Sequence, residues 1–350
     1  MNNVVKYSKS PTIFGTGLLA LDIVVGADPN EPAYQWAGGT CGNVLTILSY
    51  LGWCAFPVAR TNDEPSSERV RNDLKKWGIR LDYCSLEPTA SVPVITQEIS
   101  RDKDGKPAHK FHWRNCPKCG SWLPNYKPVT LAALDDLKET TQHSDVFFFD
   151  RTSAGALDLA AHFKELGAII VFEPSAKGDP KHFERAVSLS DVIKYSDQRF
   201  ASLTSGLSKT KRPTLEIQTL GSEGLRYRHY KHGGWHQIAA FDVDNVKDTC
   251  GCGDWTTAGI ISELCRDGSN VLKSISLEKL EDGIRYGQAL GAWNCRFEGA
   301  RGGMYRVSID TFKRDIRTIL SSGRLTKRTN RRRPDNLHSS DGMCPACPSV

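Results

Sequence analysis

Residues 248–259 read DTCGCGDWTTAG: two aspartates enclose two cysteines and two glycines, and the segment then runs into small residues at helical spacing. Three chemistries compete for it. As a metal site it is poor, because Cys250 and Cys252 are separated by one residue and no nearby thiol pair or histidine completes a tetrahedral set. As a redox pair it lacks the two-residue spacing of the usual dithiol. As an anion loop it has what is needed. Gly251 and Gly253 let backbone N–H groups converge without side chains in the way, on the positive end of the helix that starts near Asp254. The helix field is expected to hold Asp254 ionised, ready to accept a proton from an attacking hydroxyl.

The rest of the chain sets the frame for this loop. With 350 residues and 39% hydrophobic content it can bury one large α/β core or two ordinary ones. The net charge of +6 gathers in RLTKRTNRRR at 324–333, so the body is nearly balanced and does not read as a nucleic-acid binder. No stretch approaches the ~20 apolar residues of a membrane span, and the first residues lack the apolar core of a signal peptide. A cytoplasmic protein with no membrane partner is expected. In a reducing compartment the odd count of 11 cysteines points to buried thiols, metal ligands or site residues rather than a disulfide framework, with Cys54, Cys84, Cys265 and Cys295 read as small core residues.

Periodicity gives the order of elements. TIFGTGLLALDIVV at 12–25 reads as the first buried strand, VLTILSYLG as a helix stopped by Gly52, and SERVRNDLKKWG as a helix stopped by Gly78. Residues 92–113 are two β-rich runs around Asp104-Gly105, a hairpin signal. Helix LAALDDLKETT, strand DVFFFD, helix AGALDLAAHFKELG, strand AIIVFEP, helix DPKHFERAVSLS and strand DVIKYS follow, then an antiparallel meander over 214–238 and three further helical stretches. Strands alternating with helices imply a mostly parallel sheet covered on both faces.

Two stretches in this order, AGGTCGNVLTILSYLG at 37–52 and DTCGCGDWTTAG, with a β-hairpin between them, resemble the signatures of the PfkB or ribokinase family of carbohydrate and nucleoside kinases. The resemblance runs over about residues 11–320. It implies a ribokinase-like three-layer αβα domain at 1–323, with a small lid at about 18–36 and 92–113, and a basic tail at 324–350. It also implies ATP-dependent phosphoryl transfer to a sugar or nucleoside hydroxyl, with Asp254 as base and the backbone of Gly251, Cys252 and Gly253 as anion hole. By the same resemblance, Asp22, Gly38, Gly39 and Asn43 hold the substrate. Thr219, Gly221 and Gly224 form a turn beside ATP, Lys194 lies on a nucleotide-side strand, and GAWNCRFEGARGG flanks the adenine. Mg2+ would ride on the nucleotide phosphates and water. Lids of this kind sometimes pair in the family, so a homodimer is one implied arrangement. Trp36, Phe111 and Trp113 lie near the pocket and lid, where they either stack on a ligand or pack the lid.

One departure counts against catalysis. Where the family commonly has Asn-x-x-Glu, this chain has Ser196, Asp197, Gln198 and Arg199, which reverses a charge and leaves a non-catalytic sugar-, nucleoside- or nucleotide-binding protein as the competing reading. A second feature lies outside the kinase pattern. Cys116-Pro-Lys-Cys119 and Cys344-Pro-Ala-Cys347 each have zinc-knuckle spacing and together form a four-thiolate set for one structural Zn2+. The alternatives are two independent reduced pairs, a disulfide, or separate zinc sites completed by His109, His112 or His338. The basic run Arg324, Lys327, Arg328, Arg331, Arg332 and Arg333 reads as a solvated linker, or as a nucleic-acid or polyanion patch whose binding falls with salt.

Overall fold

The strand Val146–Phe149 shows how the sequence builds its layers: Val146 and Phe148 face one core, Phe147 and Phe149 the other, and all four are fully buried. A strand apolar on both sides must be covered on both sides. The computed structural model, which describes residues 10–26, 33–103, 105, 107–141, 143–204 and 212–325, covers one face with helices Thr40–Tyr50, Cys252–Leu264 and Leu277–Asn294. Helices Ala154–Glu165 and Pro180–Leu189 cover the other. The fold is therefore α/β, three layers around one large sheet.

That sheet has eight strands in the order His236–Ile238, Leu225–His229, Leu215–Thr219, Val192–Ser196, Ile169–Phe172, Val146–Phe149, Thr12–Thr16 and Cys54–Pro57. The last six run parallel and the first two are an antiparallel edge. The carboxyl ends of the parallel strands thus share one edge, the usual place for ligands in such sheets. Over that edge sits a four-stranded sheet in the order Tyr34–Gly38, Ala20–Val25, Val94–Arg101, Pro107–His112.

Several local expectations change. TIFGTGLLALDIVV is two strands in two sheets, not one. Gly17, at φ 143°, turns the chain out of the central sheet, and Leu18 N–H donates to Asp150 Oδ1 at 2.8 Å, so the apolar run continues into the lid. LAALDDLKETT gives a 3-10 turn, Leu131–Ala133, and a six-residue helix, Asp135–Thr140. The short helices Ser269–Ser274 and Gly302–Arg306 carried no clear period in the sequence. Arg324–Leu325, expected to begin the tail, pairs with Asp242–Val243, and Leu325 is buried; residues 326–350 lie outside the described residues.

Helices Cys252–Leu264 and Leu277–Asn294 press together where a Cβ on Gly259 would stand 2.6 Å from Gly287 Cα, and one on Gly287 2.6 Å from the Thr256 carbonyl. A helical glycine costs about 1 kcal/mol relative to alanine. Here the cost is offset by a close approach that fixes where the first helix begins, at the sheet edge. Gly259→Val is expected to lower stability by about 3 kcal/mol through overpacking. Urea unfolding checks this: the midpoint falls at unchanged m, and a loss under about 0.5 kcal/mol would show the crossing to be loose.

Candidate active site

Asp248, Gly251 and Asp254 each do a different job in the motif loop. Asp248 is fully buried; its Oδ1 accepts from Cys250 N at 2.9 Å, and its Oδ2 accepts from Gln97 Nε2 and Gly299 N, both at 2.8 Å. One carboxylate thus ties the loop to a lid strand and to the segment after helix Leu277–Asn294. Gly251 caps helix Cys252–Leu264 in the left-handed region, φ 75°, and a Cβ there would lie 2.3 Å from the Ala300 carbonyl, so only glycine makes this turn. Asp254 follows in the first helical turn.

Around that helix start, four elements converge. Lys194, from the strand Val192–Ser196, and Glu173, just after Ile169–Phe172, form a buried ion pair at 2.5 Å. Glu173 also accepts from Thr257 Oγ1 at 2.5 Å. A Cβ on Gly253 would stand 3.4 Å from Lys194 Nζ. The loop therefore leaves a side-chain-free surface beside an ammonium at a helix N-terminus, which suits phosphate oxygens. Asp150, at the end of Val146–Phe149, pairs with Arg151 at 2.9 Å.

The helix field does not hold Asp254 fully ionised, as the sequence suggested. Burial and the neighbouring Glu173 push its carboxyl up to about 7, against the opposing pull of a hydrogen bond from Asn43 Nδ2 at 2.7 Å and the charge of Lys194. Asp22, on lid strand Ala20–Val25, is likewise pushed by burial to about 7, with Arg301 and the Gly39 backbone pulling it down. Gly38 has to be glycine, since a Cβ would overlap Asp22 Oδ2 at 1.9 Å. Gly39, φ 77°, caps helix Thr40–Tyr50, and a Cβ would reach to 2.4 Å from the Leu18 carbonyl.

Asp22, Val24, Trp36, Ala37, Asn43, Ala300 and Arg301 line a narrow cleft. Ala300 and Arg301, at the end of the segment expected to flank the adenine, line this cleft. Trp36 is stacked between Tyr34, at 5.0 Å, and Tyr305, at 4.5 Å, so its faces are already covered. Phe111 and Trp113 are exposed. Thr219 ends the strand Leu215–Thr219 beside Ser196, and Gly221 and Gly224 form the next turn, with Gly224 at φ 100° packed on Ile238. This turn lies two strands along the sheet edge from Glu173. Asp197, Gln198 and Arg199 are exposed.

The cysteines divide differently from their spacing. Cys252 Sγ and Cys295 Sγ stand 2.8 Å apart, and that contact with burial raises the Cys252 thiol well above its ordinary value. Cys116 is buried and Cys119 exposed, in a turn closed by Gly120 N–H to the Cys116 carbonyl at 2.9 Å. Their expected partners Cys344 and Cys347, with His338, lie outside the described residues. Separate zinc sites using His109 or His112 are not supported. His109 faces Asp248 at 3.6 Å and His112 bonds Glu98 at 3.0 Å. Among the described residues no group of three or more His, Cys, Asp or Glu side chains could hold a metal.

Sequence reading missed Glu173, Asp150, Asp73 and Arg301. The first two had a signal: FFFD and VFEP each end a buried parallel strand on an acid, at the edge where ligands bind. Asp73 and Arg301 had none, because they meet only in three dimensions, at 3.0 Å.

The family described as pfkB family carbohydrate kinase matches residues 156–305, the part of the chain that carries Glu173, Lys194 and the motif loop. A probable chloroplastic fructokinase-6 of Arabidopsis thaliana is 23% identical over 315 residues, 83% of this chain and 79% of that protein. The ATP-dependent ribose-1-phosphate kinase of Halopiger xanaduensis is 25% identical over 278 residues, 76% of this chain and 83% of that one. Among solved structures, the aminoimidazole riboside kinase of Salmonella enterica, complexed with aminoimidazole riboside and an ATP analog, superposes with a TM-score of 0.66 at 19% identity, covering 87% of this chain and 99% of the other. Over residues 156–305 the chain is thus similar to the pfkB family of carbohydrate kinases, on a fold that it shares with solved kinases such as the riboside kinase.

Proposed function

We propose that this protein transfers the γ-phosphoryl group of ATP to a hydroxyl of a small sugar or nucleoside held between the lid sheet and the motif loop. The observation that carries this reading is the arrangement at Asp254: a carboxylate near neutrality, bonded to Asn43 at 2.7 Å, in the first turn of a helix whose glycine start faces Lys194. Asp254 takes the proton of the attacking hydroxyl. The N–H groups of Gly251, Cys252 and Gly253, with Lys194 beside them, stabilise the charge on the transferring phosphoryl.

Substrate hydroxyls meet Asp22 and Asn43, with Gly38 and Gly39 admitting them close to the backbone. Arg301 Nη1 and Trp36 Nε1 are buried donors without a partner among the described residues, beside the same cleft, and they supply what an acceptor oxygen requires. The cleft's polar lining, Asp22, Asn43 and Arg301, suits the hydroxyls of a sugar. The names of the two sequence relatives also concern sugars. Thr219, Gly221 and Gly224 lie on the nucleotide side. The carboxylates nearest the loop are committed, Glu173 to Lys194 and Thr257 and Asp150 to Leu18 and Arg151, so Mg2+ would be carried by the nucleotide phosphates and water. When bound there it spreads phosphate charge.

The competing reading, a ligand-binding protein without turnover, draws on the stretch from Ser196 to Arg199, where the resemblance to the family implies Asn-x-x-Glu and Arg199 reverses the charge; Asp197 and Arg199 stand exposed. ATP consumption across pentoses, hexoses and nucleosides separates the two. Turnover of at least one acceptor supports the kinase, and ligand binding without turnover on a broad panel contradicts it. On an accepted substrate, Asp254→Asn is expected to lower kcat by about 1,000-fold, within the range general-base catalysis supplies, while ATP binding, read by calorimetry, stays unchanged.

The pH dependence follows from the sign of the shift. The base works ionised and its carboxyl sits at about 7, so kcat/KM should be flat above that pH and fall about tenfold per unit below it. A profile flat down to pH 5 would place the base elsewhere.

A further inference from the structure

The Asn43 amide has two ends, and the protein decides which way it points. Arg301 Nε lies 3.0 Å from one end, and a guanidinium only donates, so that end is the carbonyl Oδ1. The NH2 group is then the end 2.7 Å from Asp254 Oδ2. Arg301 is itself fixed. Its Nη2 donates to Asp73 Oδ2 at 3.0 Å and to the Ala37 carbonyl, and it is 1% exposed. Asp73 is held in turn by Ala37 N–H at 2.9 Å and by Tyr305 Oη–H at 2.7 Å. A buried chain thus runs from Asp73 on helix Pro65–Lys76, through Arg301 and Asn43, to the carboxylate at the start of helix Cys252–Leu264.

We infer that Arg301, anchored by Asp73, is a positioning residue that orients the Asn43 amide so that its NH2 meets Asp254 and holds that carboxylate in its proton-accepting form. The inference rests on the reading of Asp254 as the base. Arg301 acts through Asn43 and does not exchange a proton. If its donor is lost, Asn43 is free to turn its carbonyl toward the carboxylate, which favours the protonated acid. The other groups facing Asp254 stay in place. These are Glu173 and Lys194 from the central sheet, Asp150 at its edge, Cys41 on the helix that carries Asn43, and Cys250 in the motif loop. Asp22 faces Arg301 from the lid.

The test titrates Asp254 directly, by carboxyl carbon NMR with Asp254→Asn for assignment, in the wild type and in Arg301→Lys. Lysine keeps the charge opposite Asp73, so the fold is retained, but its single nitrogen cannot stand at both the Nε position that meets Asn43 and the Nη2 position that meets Asp73 and Ala37. The midpoint should rise by about one pH unit, tenfold in proton affinity. Asn43→Leu should raise it as far, and the double variant no further, because the two act in series. A midpoint unmoved in a folded Arg301→Lys protein, or shifts that add in the double variant, would overturn the inference. Neither readout needs turnover, so failure here is distinct from the absence of kinase activity.

Discussion

The site depends on one buried carboxylate that bonds to three separate parts of the chain. Asp248 accepts hydrogen bonds from the motif loop, the lid strand Val94–Arg101 and the segment that begins at Gly299. A buried charge is tolerated only when it is fully paired, and the penalty for leaving any of these donors unmet binds three distant parts of the chain into one arrangement. The glycine turn at Gly251, the floor of the cleft at Ala300 and Arg301, and the lid above it all take their places from this constraint.

Within that frame the chemistry of Asp254 is a balance. The helix start and Lys194 favour its charge, while burial and Glu173 oppose it. Because Lys194 is itself paired with Glu173, its help is partly spent before it reaches Asp254. The hydrogen bond from Asn43 then weighs more than it would beside a free ammonium. The result is a carboxylate near neutrality, where a base can both hold and release a proton under ordinary conditions.

The sequence made much of this legible, and the reasons are local. Buried parallel strands such as VFFF and IIVF are apolar on both faces whatever surrounds them, so the layered sheet follows from them. Gly251 and Gly253 announce a turn that only glycine allows. What escaped was decided by contacts across the chain. The run from Thr12 to Val25 looks like one strand until Asp150 captures Leu18 N–H, 132 residues away. The shift of Asp254 reverses a local expectation because burial, and then Glu173 arriving from the end of another strand, oppose its charge. The Asp73–Arg301 pair joins residues 228 apart and has no pattern in sequence to reveal it.

The central claim is that the motif loop moves a phosphoryl group onto a sugar hydroxyl using Asp254. Phosphorus NMR of ATP incubated with the protein and a mixture of free sugars tests it most directly. The account predicts loss of the γ-phosphate resonance, matched by a new sugar phosphomonoester, with Asp254→Asn leaving ATP intact. Release of inorganic phosphate alone, or an ester formed equally by the Asp254→Asn protein, would contradict it.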